Sequence, residues 1–251
     1  MKNFYDFFAE KVSTPRLRFM NYGFADAGGA ADYGWVQHGD RRQKYHLNLV
    51  RRALNGINLS GKRVLEIGSG RGGNCHYLSR YTSARSIYGI DICEGNAGIC
   101  QRRGTRRSTF LCADAARIPF ADQTFDVVLN LESSHLYPRF DRFLAEVHRV
   151  LRPRGAFAYG DLWFFSRIPV DWTEREQLLR NSPFVIEAEE NATEGVFCAL
   201  KKKDGVNSII RSLKEPGNQK LMDRLMREND AMRVSLALVE CSYLIFRLRR
   251  P

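Results

Sequence analysis

The chain has 251 residues and a formal net charge of +11, with 44% hydrophobic and 27% charged residues. That length supports one sizeable core, and the composition excludes a disordered or fibrous chain. No apolar run approaches the roughly 20 residues that cross a bilayer. The start, Met1-Lys2-Asn3-Phe4-Tyr5-Asp6, lacks an apolar signal region, so a cytoplasmic location without integral membrane association is expected.

Residues 1 to about 60 read as helical and amphipathic, broken near Tyr22-Gly23 and Gly28-Gly29, with a stripe through Tyr45, Leu47, Leu49, Val50, Ala53 and Leu54. Strands are predicted at Arg63–Ile67, Ser86–Asp91, Thr109–Cys112, Phe125–Asn130 and Ala156–Leu162, alternating with helices at 74–81, 97–103 and 140–151. The last of these helices is the clearest. Phe140, Phe143, Leu144, Val147, Val150 and Leu151 share one face, and Pro153 and Gly155 are expected to end it. Residues 166–235 read as charged helical segments with one strand at Phe184–Ala188, and Cys241–Arg247 reads as a closing strand. This alternation predicts an α/β fold, a doubly wound, mostly parallel seven-stranded sheet with helices on both faces. Residues 1–60 would form an N-terminal helical lid. Residues 61–251 would be the core, with 166–235 an insertion covering the substrate.

Cys75, Cys93, Cys100, Cys112, Cys198 and Cys241 form no C-x-x-C pair and read as reduced, packed thiols. The basic residues are dispersed: Arg102, Arg103, Arg106 and Arg107; Lys201, Lys202 and Lys203; Arg247, Arg249 and Arg250. No basic helix carries interleaved aromatics, so these read as solvated faces rather than a nucleic-acid track. A positive surface suits an acidic or phenolic small partner. Nothing in the sequence decides the oligomeric state.

Val64-Leu65-Glu66-Ile67-Gly68-Ser69-Gly70-Arg71-Gly72-Gly73 reads as a strand entering a glycine turn and then a helix, where a ligand can approach bare backbone. Gly68, Gly70 and Gly73 fit G-x-G-x-x-G, which serves a nicotinamide or flavin, S-adenosylmethionine, or a plain tight turn. The residues at the following strand ends narrow the choice. Ligands of doubly wound sheets sit at the carboxyl ends of the strands, and three of these ends carry acids: Glu66, Asp91 and Asp114. Asp91 can accept from a ribose diol, or simply cap a helix; Asp114 can accept from an adenine amino group. The set suits an adenosine with a cationic amino acid end and no phosphate, which points to S-adenosylmethionine as cofactor.

With these residues in place, the run from Val64 to Asp161 resembles the class I S-adenosylmethionine-dependent methyltransferases. Val64 to Gly70 looks like their first motif. Asp91 stands at their ribose-binding acid, and Cys112-Ala113-Asp114-Ala115 looks like their adenine motif. Phe125-Asp126-Val127-Val128 and Arg149-Val150-Leu151-Arg152-Pro153 match later motifs. Within the class, Leu131-Glu132-Ser133-Ser134-His135-Leu136-Tyr137-Pro138 and Asn21-Tyr22-Gly23-Phe24 resemble natural-product and lipid O-methyltransferases of the phthiotriol and aminosugar types. Arg154 stands where these enzymes usually have a glycine, and Phe24-Ala25 where many have Tyr-Trp. The resemblance implies cofactor contacts from Glu66, Gly68, Ser69, Gly70, Asp91, Ile92, Asp114, Ala115, Asn130, Leu131 and Phe24.

His135 and Asp161 follow two strands expected to be neighbours. A histidine there can take a proton from a hydroxyl that attacks a methyl group, with the carboxylate orienting its ring. In the sugar O-methyltransferases that the chain resembles, a histidine and an aspartate at the matching positions serve this role; the plainer reading is a histidine that shapes the pocket. Among the others, His76 is expected at the pocket wall, His38 and His46 near the lid, and His148 in solvent. No Asp-Asn pair follows Asp161, so no metal is expected. The reading is methyl transfer to a hydroxyl of a small molecule. Transfer to nitrogen or carbon, methylation of RNA or protein, a nicotinamide-dependent oxidoreductase, and a non-catalytic S-adenosylmethionine-binding protein remain as alternatives.

Overall fold

The structure, a computed structural model, describes residues 18–26, 32–164, 172–202 and 241–251. Its seven strands are β1 (Arg63–Ile67), β2 (Ser86–Asp91), β3 (Ser108–Cys112), β4 (Phe125–Leu131), β5 (Leu151–Phe164), β6 (Val185–Asn191) and β7 (Cys241–Arg249). They form one sheet in the order β3-β2-β1-β4-β5-β7-β6. Strands β1 to β5 pair in parallel, and β7 runs antiparallel to both β5 and β6. The strand order reverses between β1 and β4, so connections leaving these two strands diverge and open a crevice at their carboxyl ends.

The helices are α1 (Lys44–Ala53), α2 (Gly73–Tyr81), α3 (Glu94–Arg103), α4 (Phe140–Val150), α5 (Trp172–Arg180) and α6 (Thr193–Lys201). Side chains alternate across a strand, which explains why the central strands read as continuous apolar runs. Val64, Ile87, Val127 and Leu129 face Leu47, Val50, Leu78 and Leu200 on one side of the sheet. Leu65, Ile67, Val128 and Phe157 face Phe143, Leu144, Val147 and Leu179 on the other. A sheet covered on both faces has no solvated side on which polar residues could alternate.

The clear stripe of α4 is buried as its periodicity requires, and the helix passes directly into β5 at Leu151. Pro153 and Gly155 lie in an irregularity of β5. Its register against β4 moves from Phe125↔Leu151 to Val127↔Ala156. Within it Arg154 has φ +62°, the left-handed conformation that a glycine adopts without strain.

Two expectations are corrected. Residues 18–26 carry no helix; this segment is irregular, and Phe24 N and Ala25 N donate to Tyr45 O and Gly195 O at 2.9 Å. The rest of the expected lid that is described is a 3-10 turn at His38–Gln43, the loop around it, and α1. Residues 172–202, read as part of a covering insertion, belong to the sheet and its helices. Strand β6 is its edge, starting one residue later and running three residues further than expected, and α5 buries Trp172, Arg175 and Leu179. The remainder of that segment lies outside the described residues.

Candidate active site

The carboxyl ends of β1, β2 and β4 surround a cleft of about 360 Å³. Its floor is the glycine turn. Gly68, Gly70 and Gly72 have φ of +72°, +49° and +79°, so the turn depends on residues without a Cβ. At Gly68 a Cβ would lie 2.2 Å from Ser133 Oγ, so any side chain would break the contact between the turn and the loop after β4. Gly68 N and Ser69 N donate to Ile90 O at 2.8 and 2.9 Å, and Gly70 N donates to Asp91 Oδ2 at 2.7 Å.

Gly68, Ser69, Gly70, Asp91, Ile92, Asp114, Ala115 and Leu131 line this cleft, as the sequence predicts. Asp91 Oδ1 also accepts from Cys93 N at 2.9 Å. Backbone N–H groups therefore hold the carboxylate in place on the cleft wall, and the N-cap of α3 is Cys93 rather than Asp91. Ile92 is 49% exposed and gives the wall an apolar rim.

Three expected contacts lie elsewhere. Glu66 is buried behind the turn rather than in the cleft wall. Burial pushes its carboxyl up to about 8, against the lowering effect of Cys75 and Asn74. Asn130 also lies behind the wall, its Nδ2 facing Ile67 O, Ser133 Oγ and Tyr137 OH at 2.9, 2.8 and 3.0 Å. It ties the end of β1 to the loop carrying His135. Phe24 turns away from the cleft; its ring packs on Gly195 with the Arg52 guanidinium 4.4 Å from its centroid.

His135 and Asp161 meet as expected. Asp161, 0% exposed, accepts four hydrogen bonds: Ser134 Oγ (2.6 Å) and His135 N (3.0 Å) on Oδ2, His135 Nδ1 (2.8 Å) and Leu162 N (2.8 Å) on Oδ1. Burial pushes its carboxyl up. The charge of His135 and the hydrogen bonds from His135, Ser134 and Leu162 outweigh this and hold it below its usual value. An ionised carboxylate only accepts, so Nδ1 carries the ring proton and Nε2 is the basic nitrogen. His135 lines the cleft, and its side chain is 25% exposed.

The other histidines are placed differently. His46 is 1% exposed and stacked on Phe19, with Nδ1 donating to Asn21 O at 2.7 Å; burial pulls it down to about 4. His76 joins Arg18 and Asp40 and borders a separate cavity of about 30 Å³. His38 is exposed, and His148, expected in solvent, is half-buried edge-on to Phe184.

Glu132 and Arg18 are cleft residues that sequence reading missed. Glu132, at φ +53°, accepts the Tyr22 N–H with both oxygens at 2.9 and 3.1 Å and so fixes residues 18–26 along the cleft edge. Arg18, Asn21 and Asn74 line the cleft together with Gly70 and Gly73.

The cradle fits S-adenosylmethionine. Asp91 would hold the ribose, with Asp114, Ala115 and Ile92 around the adenine. Arg18 and Asn74 offer donors for the amino acid carboxylate. Ser69 Oγ in the cleft wall, and Glu66 Oε2 buried behind the turn, have no hydrogen-bond partner among the described residues.

The comparisons agree with this geometry. Residues 65–159 match a family model described as a methyltransferase domain. The fatty-acid O-methyltransferase of Mycolicibacterium smegmatis is 35% identical over 207 residues, covering 80% of this chain and 73% of that protein. The chain belongs to the S-adenosylmethionine-dependent methyltransferases. The phthiotriol/phenolphthiotriol dimycocerosates methyltransferase of Mycobacterium leprae is 40% identical over 159 residues, 63% of this chain and 58% of that protein. The chain thus spans between about half and three quarters of the curated relatives it matches. In fold it is similar to geranyl diphosphate C-methyltransferase from Streptomyces coelicolor, with a TM-score of 0.72 at 14% identity, covering 100% of this chain and 97% of that one. It is also similar to the (4+2)-cyclase SpnF, with a TM-score of 0.71 at 19% identity, covering 100% and 94%. S-adenosylmethionine is the cofactor of the methyltransferase, and the nicotinamide alternative falls away. Among the described residues, no helix is long and apolar enough to cross a membrane.

Proposed function

We propose that this methyltransferase transfers its methyl group to a hydroxyl oxygen of a small lipid or natural product, with His135 as general base. The observation that carries the reading is the His135–Asp161 pair at the wall of the cleft that holds the glycine turn. Bound S-adenosylmethionine supplies an activated methyl group and a neutral sulfur leaving group. The glycine turn and Asp91 fix the cofactor end of the alignment, which is the main contribution a protein can make to an in-line displacement. His135 Nε2 receives the hydroxyl proton, and the ring becomes imidazolium. Asp161 keeps the Nδ1 proton and stabilises that charge. Glu132 holds residues 18–26 at the cleft edge, where they narrow the access of water.

The relatives named above act, by name, on a dimycocerosate lipid and on fatty acids, which favours a lipid-like acceptor. The fatty-acid relative also supports a second reading, transfer to a carboxylate oxygen. A carboxylate is ionised at neutral pH and needs no base, and the net charge of +11 suits an acidic acceptor.

Labelled methyl transfer from S-adenosylmethionine to a panel of long-chain alcohols, phenolic lipids, free fatty acids and long-chain amines separates the readings. The proposal predicts a labelled ether that survives alkali. An alkali-labile methyl ester would transfer support to the carboxylate reading. Label on amines alone would overturn both.

A further inference from the structure

Arg175, on α5, is 7% exposed, and its guanidinium reaches the loop that carries His135. Nη1 donates to Ser134 O and Nη2 to Tyr137 O, each at 2.6 Å. These two carbonyls bracket the 3-10 turn Ser134–Leu136. The turn's own backbone supplies only two short-range bonds, Leu136 N to Ser133 O at 3.0 Å and Tyr137 N to Ser134 O at 2.9 Å. The planar guanidinium is seated beside the rings of Phe140 (4.9 Å) and Trp172 (5.4 Å), so packing as well as hydrogen bonding fixes its fork.

The turn is therefore gripped from two sides. Asp161 takes the Ser134 hydroxyl, the His135 N–H and the ring; Arg175 takes the outward carbonyls. A 3-10 turn of three residues has little stiffness of its own. Released from Arg175, it could shift while its inner contacts adjust, and His135 would leave its place at the cleft.

We propose that Arg175 is a positioning residue for methyl transfer: by bridging Ser134 O and Tyr137 O it holds the turn that sets the His135 ring against Asp161 and into the cleft. The inference rests on His135 acting as base for its effect on turnover, but its structural half does not.

The test uses Arg175→Met, which keeps most of the stem without the fork, and Arg175→Lys, which keeps the charge but cannot span both carbonyls in one plane. Arg175→Gln serves if Arg175→Met fails to fold. In each, the His135 ring is titrated by NMR, S-adenosylhomocysteine affinity is measured by calorimetry, and kcat and KM are taken for an accepted substrate.

The proposal expects cofactor affinity within about twofold and a moved His135 titration. It expects kcat lower by on the order of 10- to 100-fold with KM little changed, since small misplacements of reacting groups cost about this much. Lys is expected to rescue little. A folded Arg175→Met whose His135 titration matches the parent overturns the proposal, whatever the role of His135. If the titration moves while His135→Ala leaves turnover unchanged, the general-base reading fails and the positioning of the turn stands.

Discussion

Asp161→Asn puts the dyad under a specific stress. The carboxylate accepts four hydrogen bonds, three of them from donors that cannot reverse: His135 N, Leu162 N and the Nδ1–H of His135 in its present tautomer. An asparagine replaces one acceptor oxygen by an NH₂. If that NH₂ takes the Oδ2 place, it opposes the His135 backbone N–H. If it takes the Oδ1 place, it opposes Leu162 N–H and drives His135 to the tautomer with its proton on Nε2. Either orientation strands a buried backbone donor, a cost of about 1–3 kcal/mol. For a chain of this size that lowers Tm by roughly 2–12 °C. The second orientation also removes the basic nitrogen from the cleft, and both remove the charge that stabilises imidazolium. The expected fall in kcat is on the order of 10²- to 10⁴-fold. Thermal unfolding and initial rates across pH, with cofactor affinity as the control, read both effects. An Asp161→Asn enzyme with parental Tm and turnover within about threefold would refute the reasoning, because the four-bond carboxylate would then contribute neither order nor charge.

Two other sites give independent outcomes. Asp91→Ala should weaken S-adenosylhomocysteine binding by about tenfold or more in calorimetry, since it removes both the ribose acceptor and the bond that holds Gly70 N; affinity within about twofold would show that the ribose lies elsewhere. His46 is held neutral, with its value pulled from 6.5 to about 4 by burial. The unfolded chain binds the extra proton first, so this contribution is complete above about pH 6.5 and is lost as the pH falls through 4. It amounts to about 2 kcal/mol of stability lost between pH 7 and pH 5. Urea unfolding of His46→Gln should show an acid slope shallower by that amount, and an unchanged slope would mean that other groups carry it.

The central sheet was legible because β1, β2, β4 and β5 are buried on both faces and β4 is bracketed by turn residues. The edge was not. Strand β6 presents an alternation of exposed and half-buried positions, with Glu187 and Glu190 paired to Arg249 and Arg247 of β7. Its stability comes from cross-strand ion pairs and ladder hydrogen bonds that leave no apolar period. Helix α5 was read as part of a charged covering segment; its buried face is Trp172, Arg175 and Leu179, so a charged residue stands on its packed side.

At the site, the strand-end acids and the glycine turn were readable because their position follows from the sheet alone. Glu66 was read by type and position, but its burial depends on how α2 packs behind the turn. The roles of Glu132 and Arg175 arise from contacts 110 and 38 to 41 residues distant in sequence, for which a single chain carries no local signal. Phe24 shows the opposite case. A residue two places after cleft-lining Tyr22 was expected to touch the ligand, but the left-handed turn at Gly23 (φ +80°) directs the chain away towards α6.

The most direct test of the account is His135→Ala, assayed for labelled methyl transfer to a hydroxyl acceptor at saturating S-adenosylmethionine, with cofactor affinity measured on the same preparation. The account predicts kcat lower by on the order of 10²- to 10⁴-fold and cofactor affinity within about twofold. Parental turnover in a correctly folded, cofactor-binding His135→Ala enzyme would contradict it.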